Sequence, residues 1–216
     1  MLNVYFFGDS ISFGQGISVD LTWVNRIAQQ LHRQYELAEI TVTNTSINGN
    51  TTRMALERMP FDVQSHEVDI LLVGFGMNDC NYWLTDKGVP RVSRSAFKAN
   101  LQEIIDRAFA FGSRQVILRT NHPSPRKDYM INNDITYGES NHIYNEIIRE
   151  VAKENPEVVF VDIEQKFEKY VEVKKVGLEK LTLPDGVHLS LMGHTLYFDC
   201  IYPVLSGIVA DMLKEG

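Results

Sequence analysis

"VYFFGDSISFGQG", residues 4 to 16, sets an apolar run, Val4 to Phe7, directly against Gly8-Asp9-Ser10. A run this short suits a strand buried on both faces, and the glycine and polar residues after it mark the turn that leaves the strand. Ser10 stands where that turn becomes a helix. It therefore reads either as a helix cap or as a hydroxyl offered for chemistry, and an isolated Gly-Asp-Ser favours the cap. The remainder of the chain decides between the two.

Further apolar runs rich in Val, Ile and Phe follow, so that Leu2–Phe7, Ile40–Thr43, Val68–Phe75, Gln115–Thr120 and Val158–Val161 are the predicted strands. Helical periodicity fills the intervals. Thr22–Tyr35 places Trp23, Ile27 and Leu31 on one face, and Asn100–Phe111 does the same with Leu101, Ile104, Ile105 and Ala108 before Gly112 stops it. Ile143–Ala152 and Gly193–Leu213 complete the set. Strand and helix alternating from end to end predict an α/β three-layer sandwich around a central parallel five-stranded sheet. No repeat or linker divides the chain, so residues 1–216 are read as a single domain. The least regular stretch is 121–137, "NHPSPRKDYMINNDITY", whose two prolines break helix and strand alike.

Composition narrows the function. With 216 residues, 44% hydrophobic and 23% charged, the chain has the balance of a globular protein with a substantial core. A formal charge of −7 and no basic run longer than Lys174-Lys175 argue against nucleic acid as a partner. The N-terminus lacks a basic region and a cleavage site, so it reads as a core strand and not as a secretory signal, and no apolar run approaches a membrane span. Cys80 and Cys200 are too few for a disulfide framework and lack metal-ligand spacing, which gives the expectation of a cytoplasmic protein without a metal. "GFGMND" lacks the third glycine of a dinucleotide loop, and Ser12 occupies the last place of what would be a G-x-S-x-G elbow.

In a parallel sheet, ligands bind beyond the carboxyl ends of the strands. After the first three predicted strands come Gly8-Asp9-Ser10, Asn48-Gly49-Asn50 and Gly76-Met77-Asn78-Asp79, and before the last helix stands Asp185-Gly186-Val187-His188. Together they contain the parts for acyl transfer. Ser10 supplies a nucleophilic hydroxyl, which needs a base to remove its proton at neutral pH; His188 can take that proton and return it to the leaving alcohol. Asp185, three residues earlier, can hold the imidazole tautomer and stabilise the imidazolium. The Ser10 backbone N–H, the Gly49 N–H and the Asn78 side-chain amide are the predicted oxyanion donors.

The blocks "FFGDSIS", "NTSINGNTT", "GFGMND" and "DGVHLS", in that order, resemble the SGNH hydrolases, also called GDSL esterases or lipases. The resemblance implies a flavodoxin-like sandwich, Ser10, Gly49, Asn78 and His188 as the residues behind the family's name, Asp185 completing the triad, and no cofactor. It implies a carboxylic ester hydrolase acting on a small-molecule ester, with acyl chain, alcohol and oligomeric state left open. Two other classes compete: a metal-dependent phosphoesterase built around Asp9, Asp79, Asp185 and Asn121-His122, and a non-catalytic flavodoxin-like binder.

The flanking residues carry plainer readings. Asp9 is expected to fix the turn, Asp79 to support its loop, and His194 to pack or cap; the plainer reading of Asp185 and His188 is a capping pair before the last helix, with Ser190 as the actual N-cap. Cys80 has no base to activate it. His122, just after the fourth strand, is a candidate for substrate contact. Trp83, Tyr82, Tyr129 and Met130 either line a substrate pocket, Trp83 and Tyr129 foremost, or pin their loops to the core.

Overall fold

A computed structural model describes residues 1–215. Its strands are β1 (Leu2–Gly8), β2 (Ile40–Asn44), β3 (Ile70–Gly74), β4 (Gln115–Arg119) and β5 (Val159–Val161), all parallel in the order β2-β1-β3-β4-β5. The helices are α1 (Ser10–Phe13), α2 (Trp23–Gln34), α3 (Thr52–Met59), α4 (Arg94–Ala110), α5 (Tyr137–Glu154), α6 (Ile163–Lys174) and α7 (Leu191–Glu215). α3, α4 and α5 pack in a row, while α7 packs against α2 and α6, so the sheet lies between two helical layers. Every residue of β3 is buried, as a central strand covered on both faces requires.

The order places β1 between β2 and β3, so the chain moves to one side of β1 and then crosses to the other. That reversal opens a crevice at the carboxyl ends of β1 and β3. The register brings those ends level, with Gly8 beside Gly74. Both positions need glycine for space. A Cβ on Gly8 would stand 2.8 Å from the Gly74 carbonyl oxygen, and one on Gly74 would stand 2.3 Å from the Arg119 guanidinium.

Helix bounds depart from the periodic pattern where caps take over. α4 starts at Arg94, ahead of its apolar stripe, because the Ser93 hydroxyl accepts the Ala96 N–H. α5 starts at Tyr137 through a reciprocal Thr136–Glu139 capping box. α3 and α6 escape the sequence reading because their buried stripes are thin: Thr52, Ala55 and Met59 in one, and Ile163, Glu164 and Phe167 in the other. The expectation about membrane spans needs one correction. By length and composition α7 could cross a membrane; here it packs on the sandwich through Leu196, Tyr197, Ile201, Leu205 and Val209.

Candidate active site

The chain leaves β1 through Asp9, whose extended backbone and carboxylate cap α1: Oδ1 accepts the Ile11 N–H at 3.0 Å. Asp9, and not Ser10, is therefore the cap. Ser10 becomes the first residue of the helical turn, which Gly14 ends in the left-handed region at φ 85°. Ser10 lies at the rim of the crevice and is 4% exposed. Ser12, two residues on, is buried, and its hydroxyl accepts a hydrogen bond from the equally buried Arg119 at 3.1 Å.

The opposite wall is the turn Leu183–His188, closed by Leu183 N–H to His188 C=O at 2.6 Å and Gly186 N–H to Leu183 C=O at 2.9 Å. Within it Asp185 Oδ1 accepts the N–H groups of Val187 and His188 at 2.8 and 2.9 Å, which leaves Oδ2 for the ring. His188 Nδ1 lies 2.6 Å from Asp185 Oδ2, and His188 Nε2 lies 3.0 Å from Ser10 Oγ. Partial burial opposes ionisation of Asp185. The hydrogen bonds from His188 and the two amides outweigh it and hold the carboxyl below its usual range. Hydroxyl, imidazole and carboxylate thus form one continuous line. Just beyond, the Ser190 hydroxyl accepts the Gly193 N–H and starts α7.

The segment after β4 clamps this turn from outside. His122 Nε2 donates to the Val187 carbonyl at 2.8 Å, and the Ser124 hydroxyl donates to the Gly186 carbonyl at 2.6 Å. The expectation that His122 contacts substrate is therefore corrected. Its ring is fully buried against Phe167 and Tyr197, and burial lowers its pKa to about 3, so it serves as a neutral donor behind His188. Only an apolar cage made from distant parts of the chain could remove it from the surface. His194 takes a capping role: its Nδ1 accepts the Trp23 N–H at 3.1 Å, at the start of α2, where Thr22 makes no side-chain cap.

The Asn78 side chain projects from the turn after β3 with its amide nitrogen 3.1 Å from the Asn50 carbonyl oxygen and 3.5 Å from Asp9 Oδ2. Gly49 adopts φ 77° with nothing near an added Cβ, so its backbone conformation, and not crowding, calls for glycine. One residue absent from the sequence reading ties these loops together. Arg91 donates through one Nη1 to the Gly49 carbonyl at 3.2 Å and to Asn78 Oδ1 at 3.4 Å, and its guanidinium lies 4.0 Å over the Trp83 ring. That links Trp83, 50% exposed, to the site. Tyr129 is 72% exposed and pairs with Thr136 across its own loop; no side-chain hydrogen bond joins it to Ser10 or His188 among the described residues. Tyr82 and Met130 are buried and serve as loop anchors.

The other acidic groups are already committed. Asp79 accepts the Thr52 N–H and hydroxyl at 2.9 and 2.5 Å at the start of α3, and burial raises its pKa to about 6. Burial likewise raises Asp9 above the usual carboxylate range and pushes the Cys80 thiol far up, which leaves that thiol inert. Among the described residues no three His, Cys, Asp or Glu side chains converge as a metal site.

The sequence model of the GDSL-like Lipase/Acylhydrolase family matches residues 6–196. The chain belongs to that family. Its match begins within β1 and ends within α7, so it spans all the blocks that form the crevice. A curated relative, an arylesterase of Vibrio mimicus, is 27% identical over 116 residues, 54% of this chain and 53% of the relative. The chain spans about half the length of the curated relatives it matches. Among solved structures, the lipase/acylhydrolase of Enterococcus faecalis is similar with 22% identity over 96% of both chains and a TM-score of 0.74. The acetylxylan esterase Axe2 of Geobacillus stearothermophilus is similar with 22% identity over 93% of this chain and 92% of that one, at a TM-score of 0.75. At these identities the structural likeness shows the family's fold.

Proposed function

We propose that this protein is a serine esterase that cleaves a small carboxylic ester, bearing an acetyl or other short acyl group, through an acyl-enzyme on Ser10. The observation that carries this reading is the unbroken line from Asp185 through His188 to Ser10 Oγ, with contacts of 2.6 and 3.0 Å. In the first half-reaction Ser10 Oγ attacks the carbonyl carbon as its proton passes to His188 Nε2. Asp185 stabilises the imidazolium, and the same proton then goes to the departing alcohol. In the second half, water replaces the alcohol and His188 repeats the cycle to free the acid.

The Ser10 and Gly49 N–H groups and the Asn78 amide receive the oxyanion, a task for which each donor contributes about two to three orders of magnitude in rate. Family membership and the named activities of the similar proteins support ester hydrolysis. The free, buried Cys80 and Cys200 support a reducing, cytoplasmic setting as part of this proposal.

The test is labelling with an organophosphonate followed by a series of p-nitrophenyl esters of increasing acyl length. The expected result is one adduct, mapped to Ser10, and rates that fall as the acyl chain grows. An unlabelled Ser10 together with no turnover of any ester rejects the reading.

A further inference from the structure

A pocket of about 220 Å³ lies beside the loops that carry Gly49 and Asn78, lined by Thr51, Arg53, Met54, Trp83, Asp86 and Arg91. Arg91 joins it to the site, since one guanidinium nitrogen holds both the Gly49 carbonyl and Asn78 Oδ1. The remaining guanidinium N–H groups make no hydrogen bond among the described residues. Arg53 is exposed, and neither arginine has a carboxylate within 4.0 Å among the described residues. Asp86 also lines the pocket, but its carboxylate is turned to its own turn, accepting the Trp83 N–H at 3.2 Å and the Thr85 hydroxyl at 3.5 Å. Two cations against one acid make this lining net positive on a chain whose formal charge is −7.

A guanidinium presents a planar fork of donors that suits carboxylate and phosphate oxygens, and Trp83 adds a half-exposed apolar wall to the same space. We infer that the substrate of this enzyme is an ester that also carries an anionic group, a carboxylate or phosphate, which Arg53 and Arg91 receive in the Trp83 pocket while the ester carbonyl sits at Ser10. This deepens the esterase reading and rests on it.

Matched ester pairs test it, with each rate normalised to hydroxide-catalysed hydrolysis of the same compound. 4-Acetoxybenzoate against 4-acetoxybenzamide places the anion on the leaving group; p-nitrophenyl hemisuccinate against p-nitrophenyl butyrate places it on the acyl group. The expected result is kcat/KM about tenfold higher for the anionic member of at least one pair, in line with one or two charge-assisted hydrogen bonds. That ratio should fall towards unity in Arg53→Gln. It should fall likewise in the unaltered protein as salt approaches about 1 M, where the screening length is about 3 Å. Because the salt series needs no variant, the inference stays exposed to refutation even if Arg53→Gln fails to fold. Turnover of the neutral esters with no anionic preference in either pair overturns the anion pocket and leaves the esterase reading standing. If no ester is hydrolysed, the esterase reading fails, and calorimetry with 4-hydroxybenzoate and succinate judges the pocket by itself. Binding abolished in Arg53→Gln upholds it, and no binding to the unaltered protein overturns it.

Discussion

The turn that follows β1 and the turn that carries His188 meet at the 3.0 Å contact between Ser10 Oγ and His188 Nε2, yet they are held in place by different means. The first is an extension of the sheet. β1 is paired along both edges, Gly8 is wedged against Gly74, and Asp9 caps α1, so Ser10 inherits its position from the most buried part of the fold. The second belongs to no strand of the sheet. It is held by its own Asp185, by two backbone hydrogen bonds, and by donors from the segment after β4. A hydroxyl placed by strand register and an imidazole placed by a few hydrogen bonds should respond differently to perturbation.

The largest expected effects fall on the contact itself. Ser10→Ala and His188→Ala should each lower kcat for a p-nitrophenyl ester by about four to six orders of magnitude, and the double variant should lose little more, because the members of a triad act as a unit. Additive losses in the double variant would show that the two turns do not work as one device. Urea unfolding should show that both single variants keep their fold.

A smaller effect should separate the turns. Ser124→Ala leaves the Gly186 carbonyl without its side-chain donor and should cost about tenfold in kcat with KM little changed, since the base is misplaced and substrate binding is not. Ser12→Ala, on the β1 side, should do the reverse. It removes one of the three acceptors of buried Arg119, the one that Nη2 uses, and should cost about 1–3 kcal/mol in urea unfolding with kcat nearly unchanged. If Ser12→Ala lowers kcat as much as Ser124→Ala does, the contrast between the turns is wrong.

The subtlest prediction concerns pH. His122 is buried neutral with its pKa lowered from 6.5 to about 3, so between those values the unfolded chain takes up a proton that the folded chain refuses. Its contribution is fully present above pH 6.5 and is lost as pH falls. Arg119, His188 and His194 all oppose a charge on this ring, and Asp79, raised to about 6, gives an opposite slope over part of the range. A difference measurement removes that overlap. The stability of the unaltered protein minus that of His122→Gln should shrink as pH falls from 6.5 towards 4, by up to about 1.4 kcal/mol per pH unit, and stay flat above 6.5. A pH-independent difference would show that the ring is not held neutral.

Much of this was legible beforehand because the information is local. Continuous apolar runs specify strands covered on both faces, and Gly-Asp-Ser or Gly-x-Asn-Asp after such runs announces what stands at their carboxyl ends. The Asp185–His188 spacing is equally local, since a tight turn brings residues three apart together. α3 and α6 were not legible, because too few of their residues face the core to set up a period. Arg91 and Ser124 were invisible for a different reason. Each matters through a carbonyl 42 or 62 positions away in the chain, and no pattern within a window reports such a partner. His122 was noticed for its place after β4 and misread, because whether a ring there faces the crevice or the core is a matter of packing.

The succession of the strands and of the strongly periodic helices, the hydroxyl, imidazole and amide groups that stand beyond the strands, and the turn that joins Asp185 to His188 were determined by the sequence, because covalent neighbours and periodic burial are enough to specify them. The tertiary structure decided which serine meets His188, which histidine is buried out of reach, and which arginine binds the loops of Gly49 and Asn78. Those outcomes depend on where separate segments pack, and packing couples residues whose distance along the chain bears no relation to their distance in space.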